Sequence, residues 1–402
     1  NGLPEITGEI AKLRENLPAS IAIAAAALKI SDVALKTFGH YQPQKYLLIF
    51  QNPSEARATG GFIGSYGLLD INKGKISNLF IDGIFNPDGQ LREKIIPPRP
   101  LQRISTAWST HDANWFFDFP ASAEKIEWFY EKTGGATPDG VIALTPKAVE
   151  RLIDVFGPIP MPEYGITLTS KNLIERLQYE AEINYDKELN KPKQILSDLA
   201  PKMIDRIANA SLEEWQKIIS GLAQGLEEKD IMIYSLDADV QNFFVSQGWG
   251  GDILETDKDY LAVVHSNING FKTDKVIEEE INLDSEIQND GAIINTLTIT
   301  RKHSGGAEKY DYWNRVNTDY LRVYVPLGAR LLSASGHTVD VYVPPIDYSA
   351  AGFKEDQDVA KIESFLTIDQ SSGTHVFEES GKTVFGNWVY VSPGESVAVV
   401  YK

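Results

Sequence analysis

Three stretches of the sequence gather residue types that can hold an anion or move a proton. The block Gln51–Gly67, QNPSEARATGGFIGSYG, sets Glu55, Arg57 and Thr59 directly before Gly60 and Gly61, which open a strand. Arginine offers a two-pronged donor that matches phosphate or carboxylate, and paired glycines let an anion approach the main-chain amides. The same residues can instead staple a tight turn through an Arg57–Glu55 pair, a common structural use of such charges. Farther on, Asp82 follows the strand-like run ISNLFI, and Arg92, Lys94, Arg99 and Arg103 crowd a short segment against Glu93 alone. Such a local basic excess forms either a mouth for an anionic headgroup or a solvated, proline-rich surface loop. The third block, HDANWFFDFP (His111–Pro120), sets Asp112, Asn114 and Asp118 among aromatic side chains. Polar groups among aromatics either cap the next helix or hold a metal or a substrate hydroxyl; Asp118 reads as the cap of the helix that follows, and Asp112 and Asn114 stay open between the two uses.

Other chemistries are excluded. The chain has no cysteine, so disulfides, thiolate zinc sites, iron–sulfur clusters and cysteine nucleophiles are all ruled out. It contains no Walker loop, no GxGxxG and no HExxH, and its six histidines are scattered. GGFIGSYG is not a nucleophile elbow, because Ile63 stands where a glycine should precede Ser65 by two. A formal net charge of −18 repels nucleic acid and anionic bilayers, so no nucleic-acid partner is expected.

The elements that must position these residues follow from pattern. With 402 residues, 43% hydrophobic and 23% charged, the chain is long enough for two or three globular domains. ASIAIAAAALKI, from Ala19, is too short to cross a membrane, and residues 1–40 read as a helical stalk. The start at Asn1, with no Met or basic stretch ahead of it, fits a natural anchor or signal removed upstream. Over residues 41–250, strand-like runs (YLLIF, FIGSYGLLDI, ISNLFIDGI, GVIAL) alternate with helices, which predicts an α/β (α+β) layered domain. The clearest helix starts at Thr145-Pro146, carries Val149, Leu152, Ile153 and Phe156 on one face, and stops at Gly157-Pro158. Packing helices are expected after Thr169, around Ile195–Ile207 with a break or kink near Pro201, and from a capping box at Ser211–Glu214. Over residues 259–402 the runs turn to alternating strands between Gly, Pro, Asn and Asp turns, which predicts a separable all-β sandwich domain. Residues 346–358 read as a long exposed loop within it.

The first and third blocks, with DGVIALTPKAVERLIDVFGPI, HSNINGFKTDK and YLRVYVPLGARLLSASG, resemble the bacterial domain-of-unknown-function family 4012. Members of that family resemble extracytoplasmic proteins with an N-terminal membrane helix. A more distant similarity, in the order of elements, is to the LytR-CpsA-Psr proteins, which transfer glycopolymers from polyprenyl-pyrophosphate carriers to the cell wall. That resemblance implies Arg57 as the first phosphate-binding arginine and Asp82 as the carboxylate that holds Mg²⁺ or activates an acceptor hydroxyl. Glu55, Thr59, Gly60, Gly61, Arg92, Arg99, Arg103, Asp112 and Asn114 would complete the substrate-binding set. The arginine-rich segment of that family is matched here by YEAEINYDKELNKPKQIL, where Lys191 and Lys193 take the place of forked donors, and the Pro-Arg-Asp signature gives way to LFIDGIFNPDG.

The expected protein is therefore an outward-facing, membrane-anchored envelope protein of the cell surface that binds or transfers polyprenyl-linked glycopolymers, by phosphotransferase chemistry with Mg²⁺ if it is an enzyme. The alternative is a non-catalytic adhesion or scaffold protein that keeps the fold. A third reading uses Asp347–Asp358 to hold calcium, although these residues lack regular ligand spacing.

Overall fold

Strand β1, Gln44–Asn52, sends Leu47 and Ile49 to one side and Tyr46, Leu48 and Phe50 to the other, and most of these side chains are buried. A strand apolar on both faces must lie inside a covered sheet. β1 pairs antiparallel with β2 (Phe62–Asn72), which pairs antiparallel with β3 (Lys75–Gly83). The computed structural model describes residues 17, 21, 24, 25, 27–185 and 193–402, beginning with a helix, α1, that is continuous over 27–37. After β3 come a short turn of helix, α2 (Phe85–Asp88), and α3 (Phe119–Lys132). Next are β4 (Gly140–Leu144), α4 (Pro146–Phe156), a small hairpin of β5 (Ile159–Met161) and β6 (Ile166–Leu168), and α5 (Leu173–Glu182). Then follow α6 (Gln194–Ala208), α7 (Leu212–Glu227), β7 (Ile231–Ser235) and α8 (Ala238–Ser246). The resulting sheet has the order β3-β2-β1-β4-β7, with β4 parallel to β1 and β7 antiparallel to β4.

Local signals account for the helices. Pro146 begins α4, and Gly157, at φ +76°, ends it. Thr145 occupies the cap position of α4, but its hydroxyl donates to Asp230 Oδ1 (2.9 Å) rather than capping the helix. Asp118 caps α3 by accepting from Ala121 N–H and also accepts from Ile253 N–H. Ser211 and Glu214 form a reciprocal capping box on α7, and α6 runs through Pro201 without interruption. One face of the sheet packs on α3 through Leu47, Ile49, Ile126 and Phe129. The other face looks toward α4, α5 and α6, whose own core includes Ile153, Leu173, Ile195 and Leu199.

The rest of the chain is mainly antiparallel β. Its elements are β8 (Ala262–Val264), β9 (Ile277–Ile287), β10 (Ile293–His303), β11 (Asn317–Pro326), β12 (Ala334–Ser335), α9 (Gln357–Ser364), β13 (Thr367–Ile368), β14 (His375–Glu379), β15 (Lys382–Val391) and β16 (Ser396–Tyr401). They form two sheets, β12-β16-β10-β9 and β13-β14-β15-β11-β8. Ile299 and Val399 of the first sheet share a buried cluster with Leu321, Val323 and Val389 of the second. The stretch expected as a loop over 346–358 ends in α9, capped by Asp356. The fold is thus mixed α/β with several sheets. The core on the α3 face does not stop at the β-rich part, since Ile268, Tyr320 and Trp388 belong to the same cluster as Trp115 and Phe119.

Candidate functional site

A cavity of about 320 Å³ lies between the second face of the mixed sheet and helices α4–α6. Its walls are apolar: Leu48, Leu79 and Ile81 from the strands, and Leu152, Leu177, Leu199 and Met203 from the helices. Polar groups enter its lining through Gln51, Asn52, Gln178, Glu182, Lys193 and Lys272. Beside it lies a basin of about 620 Å³ with mixed lining, where Asp82, Asn86, Gln194 and Ser197 face the space together with Phe80 and Phe85. The two spaces share Gly64, Leu79, Ile81, Ala181, Glu182, Lys193 and Ala200 in their linings, so they adjoin along these residues.

Glycines make the junction. A Cβ built at Gly64 would meet only Lys193 Nζ at 3.7 Å and Lys193 Cε at 3.8 Å, and one at Gly83 would meet Lys193 Cγ at 3.7 Å. The Lys193 side chain therefore lies across strand positions that carry no side chains of their own. Helix α6 is pinned above β3 by Ser197 Oγ donating to the Ile81 carbonyl (2.8 Å). Burial, together with the neighbouring Lys272 charge, pulls the Lys193 ammonium below its ordinary pKa, although Glu182 and Glu55 oppose the shift. Two buried acceptors on the cavity wall, Gln51 Oε1 and Gln178 Oε1, receive no hydrogen bond among the described residues, while their amide groups donate to Thr59 and Ser54. Buried acceptors left in this way are costly, and a ligand hydroxyl or a water would relieve them.

The sequence-selected residues fall into three places. Asp82 lines the basin, with Oδ1 accepting from Gly83 N–H (2.7 Å) and Oδ2 from Asn86 Nδ2 (2.8 Å). Lys193 joins it there, whereas Lys191 lies outside the described residues.

Glu55, Arg57, Thr59, Gly60, Gly61, Asp112 and Asn114 form a second group where the mixed sheet meets the β-rich part, a knot in which Arg57, Thr59, Asp112 and Asn114 are buried and Gly60 is exposed. Arg57, 4% exposed, donates through Nε to Asp112 Oδ1 (3.0 Å), through Nη1 to the carbonyls of Ala56 and Asn267, and through Nη2 to Glu55 Oε1 (3.3 Å). Burial works against its charge, but Asp112 and Glu55 outweigh it and hold the guanidinium pKa above its ordinary value. Burial also opposes ionisation of Asp112, yet Arg57 and His111 keep it well below the usual carboxylate range. Asn114 Nδ2 donates to Thr59 Oγ1 (3.1 Å) and to the Gly61 carbonyl (2.8 Å). Gly61, at φ +153°, has Asn52 main-chain atoms 2.3 Å from where a Cβ would sit, and Gly60 N–H donates to the Arg57 carbonyl. Both glycines thus serve the turn itself.

The third place is the outer junction. Arg99 pairs with Glu363 (3.2 Å), Arg103 pairs with Asp340 and lies over the Trp388 ring, and both line a separate pocket of about 230 Å³. Arg92 is exposed. These arginines are not brought to Asp82.

A chain of charges links the knot to the basin: Arg57 to Glu55, Glu55 to Lys272 (3.9 Å), Lys272 to Glu182 (3.2 Å), and Glu182 to Lys193 (3.8 Å). Glu182 and Lys272 were not singled out from sequence, although both stand inside quoted segments, YEAEINYDKELNKPKQIL and HSNINGFKTDK. Among the described residues no group of three or more His, Asp or Glu gathers as a metal cage. Mg²⁺ is commonly held by one or two carboxylates together with substrate phosphates, and Asp82 and Glu182 are the acidic side chains lining the basin that could serve it. Asp347, Asp356 and Asp358 are engaged elsewhere: Asp347 accepts from Ala350 N–H, and the other two pair with Lys125. No helix among the described residues is long and apolar enough to cross a membrane.

Comparison with known proteins adds a family for the first part. No curated protein matches the chain. A crystal structure of a Streptococcus agalactiae protein is 16% identical, covering 54% of this chain and 75% of that one, with a TM-score of 0.33. Residues 41–181, which carry much of the Arg57 knot, Asp82 and most of the sheet beneath the cavity, match the family described as "Protein of unknown function (DUF4012)".

Proposed function

We propose that the chain is an extracytoplasmic, membrane-anchored envelope protein that binds a polyprenyl-linked glycopolymer carrier, with the isoprenoid chain in the apolar cavity and the polar head in the basin at Asp82 and Lys193. In this reading the first part is a LytR-CpsA-Psr-like layer and the two antiparallel sheets are a β-sandwich. The observation that carries it is the adjacency of a 320 Å³ apolar space and a 620 Å³ basin of mixed lining, which share Gly64 and Lys193. Ligand sites of this size are usually apolar with a few convergent polar groups, and an amphiphile needs both kinds of space in line. Binding is favoured over transfer, because all three nitrogens of the Arg57 guanidinium are already engaged by protein acceptors. A transferase reading rests on Asp82, which would take the proton of an acceptor hydroxyl at the basin.

The test is titration of the full chain with geranylgeraniol and geranylgeranyl diphosphate, followed by calorimetry, for wild type and Gly64→Leu. Gly64 has room for a side chain, so Gly64→Leu should fold normally while blocking the throat. We expect saturable binding to wild type and a loss of about tenfold or more in the variant. If neither probe binds wild type, or Gly64→Leu binds both as wild type does, the carrier reading fails and the scaffold alternative takes its place.

A further inference from the structure

Lys272 belongs to the β-rich part, yet it lines the cavity of the first part. The loop that delivers it is tightly fixed. Asn267 is wholly buried; its N–H donates to the Ala56 carbonyl (3.0 Å), its Nδ2 to Asp274 Oδ2 (2.7 Å) and to the Phe271 carbonyl (3.1 Å), and its Oδ1 accepts from Gly270 N–H (2.7 Å). Asn269 and Phe271 hold left-handed backbone angles, φ +68° and +55°; asparagine adopts this region readily, whereas a phenylalanine does so only where the surroundings impose it. Arg57 Nη1 donates to the Asn267 carbonyl, so the knot at the turn also anchors this loop.

Where the cavity adjoins the basin, Oε1 of Glu182 lies 3.2 Å from Lys272 Nζ and 3.8 Å from Lys193 Nζ. One carboxylate oxygen thus sits between two ammonium groups. The lysine side chains are mostly covered, 13% and 22% exposed, while that of Glu182 is 37% exposed. Glu182 is also the last residue of α5, where the helix dipole disfavours a negative charge. The carboxylate is therefore the least firmly held member of the trio.

We propose that Lys193 and Lys272 form a two-cation seat for the anionic head of the bound amphiphile, and that Glu182 fills this seat until the ligand displaces it. The inference rests on the carrier reading above and adds a selection rule to it: the β-rich part supplies one of the two charges that distinguish an anionic head from a neutral one. A phosphate carries more negative charge and more acceptor oxygens than one carboxylate, so it can replace Glu182 on the same two donors. The released Glu182 side chain turns outward into solvent.

The experiment compares geranylgeranyl diphosphate with geranylgeraniol on the full chain, as wild type, Lys272→Gln, Lys272→Arg and Glu182→Gln, at matched ionic strength. Wild type should prefer the diphosphate by about tenfold or more. Lys272→Gln should cut that preference by about fivefold and leave the alcohol unchanged, whereas Lys272→Arg should keep the preference. Glu182→Gln should tighten diphosphate binding by about threefold or more without affecting the alcohol. Equal binding of the two probes to wild type overturns the seat and leaves the cavity reading standing. Weaker diphosphate binding by Glu182→Gln, or a loss for both probes alike in Lys272→Gln, also overturns the seat. Failure of both probes on wild type overturns the cavity reading and the seat together.

Discussion

Arg57 donates to the main-chain carbonyl of Asn267, 210 residues farther along the chain. This contact makes the arginine a clasp between the mixed sheet and the β-rich part, with Asp112 and Glu55 supplying its counter-charges. A guanidinium at 4% exposure is tolerable only because its donors are met, and removing it strands two carboxylates in a covered site.

Arg57→Ala should therefore cost about 3–5 kcal/mol in denaturant unfolding, the usual range for breaking a buried ion pair from one side. Arg57→Lys should recover little of this, because a lysine cannot reproduce the fork that reaches Asp112, Asn267 and Glu55 together. A variant that melts like wild type but loses affinity for geranylgeranyl diphosphate would mean that Arg57 serves the ligand and not the clasp.

Two histidines should make stability depend on pH. His111 lies between Asp88 (2.8 Å) and Asp112 (3.3 Å), and His265 between Asp319 (2.7 Å) and Glu279 (3.1 Å). Burial pulls each imidazole down, but the carboxylates prevail and push each up to about 9. Arg57 beyond Asp112, and Arg301 beside Asp319, are the nearby cations that temper the two sites. The folded value lies above the unfolded one, so this stabilisation is complete below about pH 6.5 and fades as pH rises through about 9. The expected loss is on the order of 1–3 kcal/mol per histidine. Urea melts between those limits on wild type, His111→Gln and His265→Gln should show a falling stability whose slope each substitution reduces. A flat wild-type profile would contradict this account.

What the sequence disclosed was local. Pro146 and Gly157 bound α4 because a proline and a glycine act on their own turn, and Ser211 with Glu214 caps α7 within one turn of helix. The alternation in YLLIF places β1 because side chains in a strand take turns between two faces. The site is assembled from distant pieces. From its own segment Arg57 reads either as an anion ligand or as a staple to Glu55, and only the arrival of Asn267 and Asp112 decides for the staple. The border between cavity and basin depends on Gly64 and Gly83 lying under Lys193 at the start of α6, a pairing set by how the helix crosses the sheet rather than by either segment's pattern. Lys272 reaches that cavity only because the Asn267 loop docks on Ala56.

The same docking bears on whether the two parts fold separately. The strand pattern of residues 259–402 favours an independent unit, yet Arg322, wholly buried, donates to the Trp115 carbonyl (2.8 Å) and lies 4.4 Å from the centre of the Trp115 ring. Trp115 in turn stacks on Tyr320, and Trp388 belongs to the same core. A desolvated cation over an aromatic face contributes about 2 kcal/mol, and the arginine would lose both this and a hydrogen bond if the first part were absent. Scanning calorimetry of the full chain should therefore give one cooperative transition, and Trp115→Ala should lower that whole transition, at a cost of roughly 3–5 kcal/mol, rather than split it. Residues 259–402 alone should show β-type circular dichroism but melt well below the full chain. Two resolved transitions, with only one of them moved by Trp115→Ala, would show that the β-rich part keeps its own core and that the contact at Trp115 is only an interface between independent domains.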